Sequence, residues 1–111
     1  MKLLVTRYAA YLTGDDVADA VMAYDLALSR AQKLDVVAMP FIDAADVRRE
    51  AQFTVGWQMD TSTISQSDRD EGELEDPALV SRLAAKASAL GQYTGRPFEA
   101  DDAPAEWPQF D

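Results

Sequence analysis

Over residues 51–60 apolar and polar side chains alternate without a break. Ala51, Phe53, Val55, Trp57 and Met59 stand against Gln52, Thr54, Gly56, Gln58 and Asp60. A period of two marks a strand with one face on a core and one face in water. The run from Leu34 to Ile42 reads differently. Val36, Ala38 and Ile42 point one way and Val37, Met39 and Phe41 the other, so both faces are apolar. That pattern predicts a strand covered at least in part on both sides. Pro40 has no N–H to give a ladder, which predicts a sheet edge or a bulge at that position. The polar run 43–50 reads as a hairpin connection between these two strands. Leu3, Leu4, Val5 and Tyr8 predict a first strand over 2–8. Residues 61–66 read as a continuation of the sheet after a turn near Asp60.

Two segments have helical spacing instead. Val17, Ala20, Val21, Tyr24, Ala27, Leu28 and Ala31 form one stripe, which predicts a helix over about 14–33. Thr13 and Asp16 have the spacing of a capping box, with Leu12 and Val17 as its hydrophobic staple. Met22 and Leu26 lie four apart on a second face of this helix. A later helix opens at Asp76-Pro77, with Asp as N-cap and Pro at the first helical position. Leu79, Val80, Leu83, Ala84, Ala87 and Leu90 give it an apolar face, and Gly91 reads as its stop. The expected architecture is a two-layer α+β domain over residues 1–95, in the order β-α-β-β-(β)-α. Its antiparallel sheet of three to four strands packs on two main helices. Residues 96–111 form an acidic tail that is broken by Pro97, Pro104 and Pro108 and carries Phe98, Trp107 and Phe110. It is expected to be either docked on the domain or disordered.

Charge changes this picture in one respect. Ten Lys and Arg face twenty Asp and Glu in 111 residues, a formal net charge of −10. Such a chain repels phosphate backbones, which argues against general nucleic-acid binding and against anionic membrane surfaces. No apolar run is long enough to span a membrane, and the first residues do not read as a signal peptide. The chain has no Cys and no His. Thiolate nucleophiles, His-containing zinc sites and Ser-His catalysis are therefore closed to it. A reducing cytoplasm suits the composition. No metal site and no cofactor motif emerges. The acidic run 67–76 misses the EF-hand pattern, because Gly72 and Leu79 fall on ligand positions when the count starts at Asp68.

The block Leu12-Thr13-Gly14-Asp15-Asp16-Val17-Ala18-Asp19-Ala20-Val21, followed by Asp35-Val36-Val37 and an alternating strand, resembles small acidic uncharacterised proteins of high-GC bacteria. The resemblance covers about half of the chain and implies a capped helix on a sheet. It brings no activity and no site residue with it.

No catalytic residue is expected. The leading reading is a small non-catalytic interaction module that associates with itself as a homodimer or with a protein partner not identified by the sequence. Met22, Leu26, Trp107 and Phe110 are its candidate interface residues. One alternative is a carboxylate-dependent ligand binder or enzyme built on Asp60, Thr61 and Thr63, a patch that also reads as a simple polar turn. Another is an acidic inhibitor that mimics nucleic acid.

Overall fold

The strand expected over 2–8 ends at Thr6, and a second strand follows it. In the computed structural model, which describes residues 1–66 and 73–94, β1 (Lys2–Thr6) turns back into β2 (Ala10–Thr13). Thr6 closes the turn. Its N–H donates to the Ala9 carbonyl at 2.8 Å, and its Oγ1 accepts from the Ala9 N–H at 3.2 Å. Then follow α1 (Asp15–Arg30), β3 (Leu34–Ile42), β4 (Arg48–Gly56), β5 (Thr61–Ser65) and α2 (Pro77–Thr94). The strands form one antiparallel sheet in the order β4-β3-β2-β1-β5. The α+β class is as expected, but the sheet has five strands rather than three or four. The extra strand comes from the Thr6–Ala9 turn, which contains neither Gly nor Pro.

Local chemistry sets the helix ends. Thr13 does not cap α1. Its fully buried hydroxyl donates to the Pro40 carbonyl at 2.8 Å, and Gly14 takes the N-cap position without a side-chain bond. Glu73 supplies the cap from a distance, its Oε2 accepting from the Asp15 N–H at 2.6 Å. Gly14 is required there, since a Cβ would lie 1.7 Å from the Leu74 carbonyl oxygen. At its other end α1 stops at Arg30, short of Lys33. Gln32 adopts φ 56°, its N–H bonds to the Ser29 carbonyl, and the Lys33 N–H bonds to the Leu28 carbonyl. This is a Schellman closure with Gln in place of Gly. The second helix starts as expected, with Asp76 Oδ1 accepting from the Leu79 N–H at 3.2 Å. Gly91 does not end it, and α2 continues to Thr94.

The β3–β4 hairpin is in unbroken register from Leu34 opposite Gly56 to Ile42 opposite Arg48, so Pro40 causes no bulge. The hairpin forms one end of the sheet, with β4 outermost and β3 inside it. β2 meets β3 at one pair, Leu12 and Ile42, and the Pro40 carbonyl already faces Thr13 of β2. The missing N–H of Pro40 therefore points to a side where no ladder continues. Asp43 builds the connection, accepting through Oδ1 from the N–H groups of Ala45 and Val47 at 2.9 Å and pairing with Arg49. β4 ends at Gly56 because Gly56 and Gln58 take positive φ, 121° and 66°. The expected alternation therefore stops there, and Trp57 turns outward, 42% exposed.

Both helices lie on one side of the sheet. Leu4, Val37, Met39 and Val55 meet Val17, Val21 and Leu28 of α1, and Leu79 and Leu83 of α2 complete the core. Tyr11, Phe41 and Phe53 stack beside it, with ring centroids 5.0 and 5.5 Å apart. Asp25 is a buried carboxylate within this layer. Its Oδ1 accepts from the Gly56 N–H at 2.7 Å, which ties the end of β4 to α1.

Candidate functional site

Alternation along β1 sends Leu4 into the core and places Leu3 and Val5 on the opposite face, where neither helix lies. The register extends that face across the sheet. Leu3 stands opposite Ile64 of β5 on one side and Leu12 of β2 on the other, and Leu12 stands opposite Ile42 of β3. Ile64, Leu3, Leu12 and Ile42 thus form one apolar row across four strands, about 14 Å from end to end at the usual strand spacing. Val5, between Ala10 and Ser62, widens it. Ile64 is 52% exposed, and Leu3, Val5, Leu12 and Ile42 are half-buried by their neighbours. The first charged residue in line is Arg48, opposite Ile42. On a chain with net charge −10, the row itself contains no carboxylate, and Glu50, opposite Pro40 on the same face, stands beside its β3 end. Farther along the same side of β3, Val36 and Leu34 are 59% and 56% exposed. The expected partial cover on both faces of this strand holds for Ala38, Pro40 and Ile42, which are half-buried or buried, but not for Leu34 and Val36.

A cleft of about 480 Å³ opens where the C-terminal half of α2 passes the end of α1 and the start of β3. Leu28, Leu34, Ala89 and Leu90 give it apolar walls, and Tyr24, Lys33, Asp35 and Lys86 supply the polar groups. The Tyr24 hydroxyl donates to Asp35 Oδ2, and the Lys86 ammonium donates to the same oxygen at 3.3 Å. Lys86 also sits 5.6 Å from the centroid of the Tyr24 ring, a cation–π arrangement. Burial, followed by the bond to Asp35, pushes the Tyr24 hydroxyl up to about 12. The Tyr24 hydrogen bond holds the Asp35 carboxyl below the ordinary carboxylate range, helped by the Val36 N–H and Lys86. A neutral phenol, a carboxylate committed to three donors and an ammonium are a positioned set. The raised phenol and the lowered carboxyl are both shifted away from proton exchange near neutral pH.

The residues singled out from the sequence fall in separate places. Asp60 is on the rim, its side chain 82% exposed and 3.5 Å from the Arg7 guanidinium. Thr61 and Thr63 stand opposite Thr6 and Leu4, on the helix side of the sheet. Thr61 Oγ1 is buried without a hydrogen-bond partner. Met22 packs half-buried against the core, whereas Leu26 is 51% exposed on the outside of α1. Trp107 and Phe110 lie outside the described residues. The apolar row was not foreseen. The signal for it was present in Leu3-Leu4-Val5, which puts large apolar groups on both faces of one strand, but its extent depends on a register that sequence spacing does not give.

No group of three or more His, Cys, Asp or Glu among the described residues is arranged to hold a metal ion. No helix among them is long and apolar enough to cross a membrane. Compared with protein-family models, curated proteins and solved structures, the chain gives no match.

Proposed function

We propose that this protein is a non-catalytic interaction module that associates with a second copy of itself through the bare face of its sheet. The carboxylate-free apolar row Ile64–Leu3–Leu12–Ile42 carries this reading. Two chains of net charge −10 repel each other at long range. They meet at least cost where the contact itself carries no acid, and this row is such a place. A flat apolar strip is also self-complementary under a two-fold axis, the commonest symmetry of soluble homo-oligomers. Each apolar side chain removed from water on contact contributes at roughly 25 cal/mol per Å².

The test is light scattering combined with sedimentation at high micromolar concentration. The wild-type chain is expected to run as a dimer and the Ile64→Glu variant as a monomer. Ile64 is exposed on an edge strand, so the substitution leaves the core untouched. A wild-type chain that stays monomeric at that concentration removes this reading.

A further inference from the structure

We infer that the groove between β3 and α2 is a docking site for an extended, acidic peptide of a partner protein, which joins the sheet beside β3 as a short strand. The first observation is a set of vacant backbone groups. The Trp57 N–H bonds to the Lys33 carbonyl, which makes Lys33 and Trp57 a hydrogen-bonded pair at the end of the hairpin. Bonded and non-bonded pairs alternate along an antiparallel ladder. Asp35, Val37 and Met39 therefore bond to β4, and Val36 and Ala38 turn their backbone groups to the other side. Two neighbours keep the same phase. The Gly56 N–H turns away from β3 to Asp25, and the Pro40 carbonyl turns away from β4 to Thr13. On that other side β2 pairs with β3 only at Leu12 and Ile42. The Val36 N–H folds back onto Asp35 Oδ1. The N–H and carbonyl of Ala38 and the carbonyl of Val36 meet no partner among the described residues.

The second observation is the space these groups face. A cleft of about 300 Å³ lies between Val36, Val37 and Ala38 on one wall and Leu79, Arg82 and Lys86 of α2 on the other. A strand seated there would bond to Ala38 and cover Val36, which is 59% exposed. The third observation is charge. Arg82 and Lys86 lie four apart, on one side of α2. Arg82 is exposed and forms no ion pair with the described residues. Lys86 donates to Asp35 and keeps further donors. Glu50 and Asp76 line the opposite end of the cleft, toward β2, and Asp76 is already spent on capping the Leu79 N–H. The groove is thus basic at the end near Asp35 and acidic at the end near Pro40. A peptide acid gains charge-assisted bonds beside Arg82 and Lys86 and is repelled beside Glu50, so the charges fix the direction in which the peptide lies. None of this depends on the bare sheet face.

The test selects peptides from a phage-displayed library of random octapeptides on the full chain, with Ile64→Glu present so that self-association plays no part. Enriched peptides are expected to carry an acid among β-branched residues. Their affinity should fall about tenfold against Arg82→Glu, the scale of a lost charge-assisted bond. Arg82 is exposed on α2, so that variant leaves the core intact. Hydrogen exchange then locates the bound peptide. The Ala38 amide should exchange fast in the free chain and several-fold more slowly in the complex. Gln52 and Thr54 turn their amides outward on the far side of β4 by the same alternation, and these should not change. No enrichment, enrichment of peptides without an acid, or undiminished binding to Arg82→Glu overturns the proposal. Slowing at Gln52 and Thr54 instead of Ala38 also overturns it, because the peptide then pairs with β4. So does an Ala38 amide that is already slow before peptide is added, because the chain itself then covers the groove.

Discussion

Leu3 and Leu4 are adjacent, equally apolar and in the same strand, yet they do opposite work. Leu4 is wholly enclosed by Val17, Val21 and the rest of the helix-side core. Leu3 lies on the face that no helix covers, in line with Ile64, Leu12 and Ile42. The difference is not in the residues but in what the two sides of the sheet meet. Helix-side area is removed from water when the chain folds, so its gain belongs to folding. The area of the bare row stays in contact with water, so its gain is available to association.

Truncation separates the two roles. Leu4→Ala is expected to cost about 3 kcal/mol of folding stability, in the range for a fully buried Leu whose cavity cannot collapse. Leu3→Ala should cost less than about 1.5 kcal/mol, since half-burial leaves less transfer energy to lose. Urea denaturation in the Ile64→Glu background measures both without a contribution from dimer formation. Equal losses at the two positions would mean that both faces are covered, and the contrast would fail.

The junction between sheet and helix layer gives the next largest effect. Gly56 takes φ 121°, and a Cβ there would lie 2.3 Å from the Lys33 carbonyl and 3.1 Å from Leu28 Cβ. Gly56→Ala therefore meets both backbone strain and a backbone clash, and about 2 kcal/mol of destabilisation is expected. It should also loosen the Gly56 N–H to Asp25 bond. Hydrogen exchange at the Gly56-position amide reads this directly, and protection equal to wild type would show that the junction yields at little cost.

These contrasts also mark what the sequence made legible. The period-two pattern located β4, and the 3.6-residue stripes located both helices, because burial of one face imposes its period on the chain. Pro40 predicted an edge or a bulge and found neither, because β3 lies inside the sheet; the side without its N–H faces β2, which pairs with β3 only at Leu12 and Ile42. What failed was set by contacts distant in sequence. Thr13 had the spacing of a cap, but its hydroxyl is used by the Pro40 carbonyl, and Glu73 caps α1 across 58 residues. The strand expected over 2–8 stops at Thr6, and β2 beyond it was missed because Thr6 forms the turn without Gly or Pro. The bare row follows from alternation in each strand, but its alignment across four strands follows from register. Of the residues singled out as candidate sites, Leu26 is exposed on α1, and Asp60, Thr61 and Thr63 do not converge. Sequence reasoning weighted them by type, whereas convergence depends on the fold.

The smallest expected effect, and the only one that is a gain, concerns Asp25, the buried carboxylate at the junction that holds Gly56. Burial raises its pKa, and the Gly56 N–H offsets part of that rise. The folded state therefore holds this proton more tightly than the unfolded state does. By linkage, stability falls as pH rises from the ordinary carboxylate range through the raised folded-state value, and the loss is complete above it. Asp25 thus lowers stability at neutral pH, the reverse of a carboxylate such as Asp35, whose depressed pKa adds stability that is lost on acidification. Asp25→Asn keeps an oxygen for the Gly56 N–H and removes the buried charge. It should raise neutral-pH stability by less than about 1 kcal/mol and abolish the decline specific to Asp25, while the Asp35-linked loss at lower pH remains. Urea midpoints of wild type and variant, followed from acid to neutral pH, should converge at the acid end and separate as pH rises. Curves that separate instead toward acid would mean that the Gly56 hydrogen bond outweighs burial at this carboxylate, and that the junction is held by charge as well as by shape.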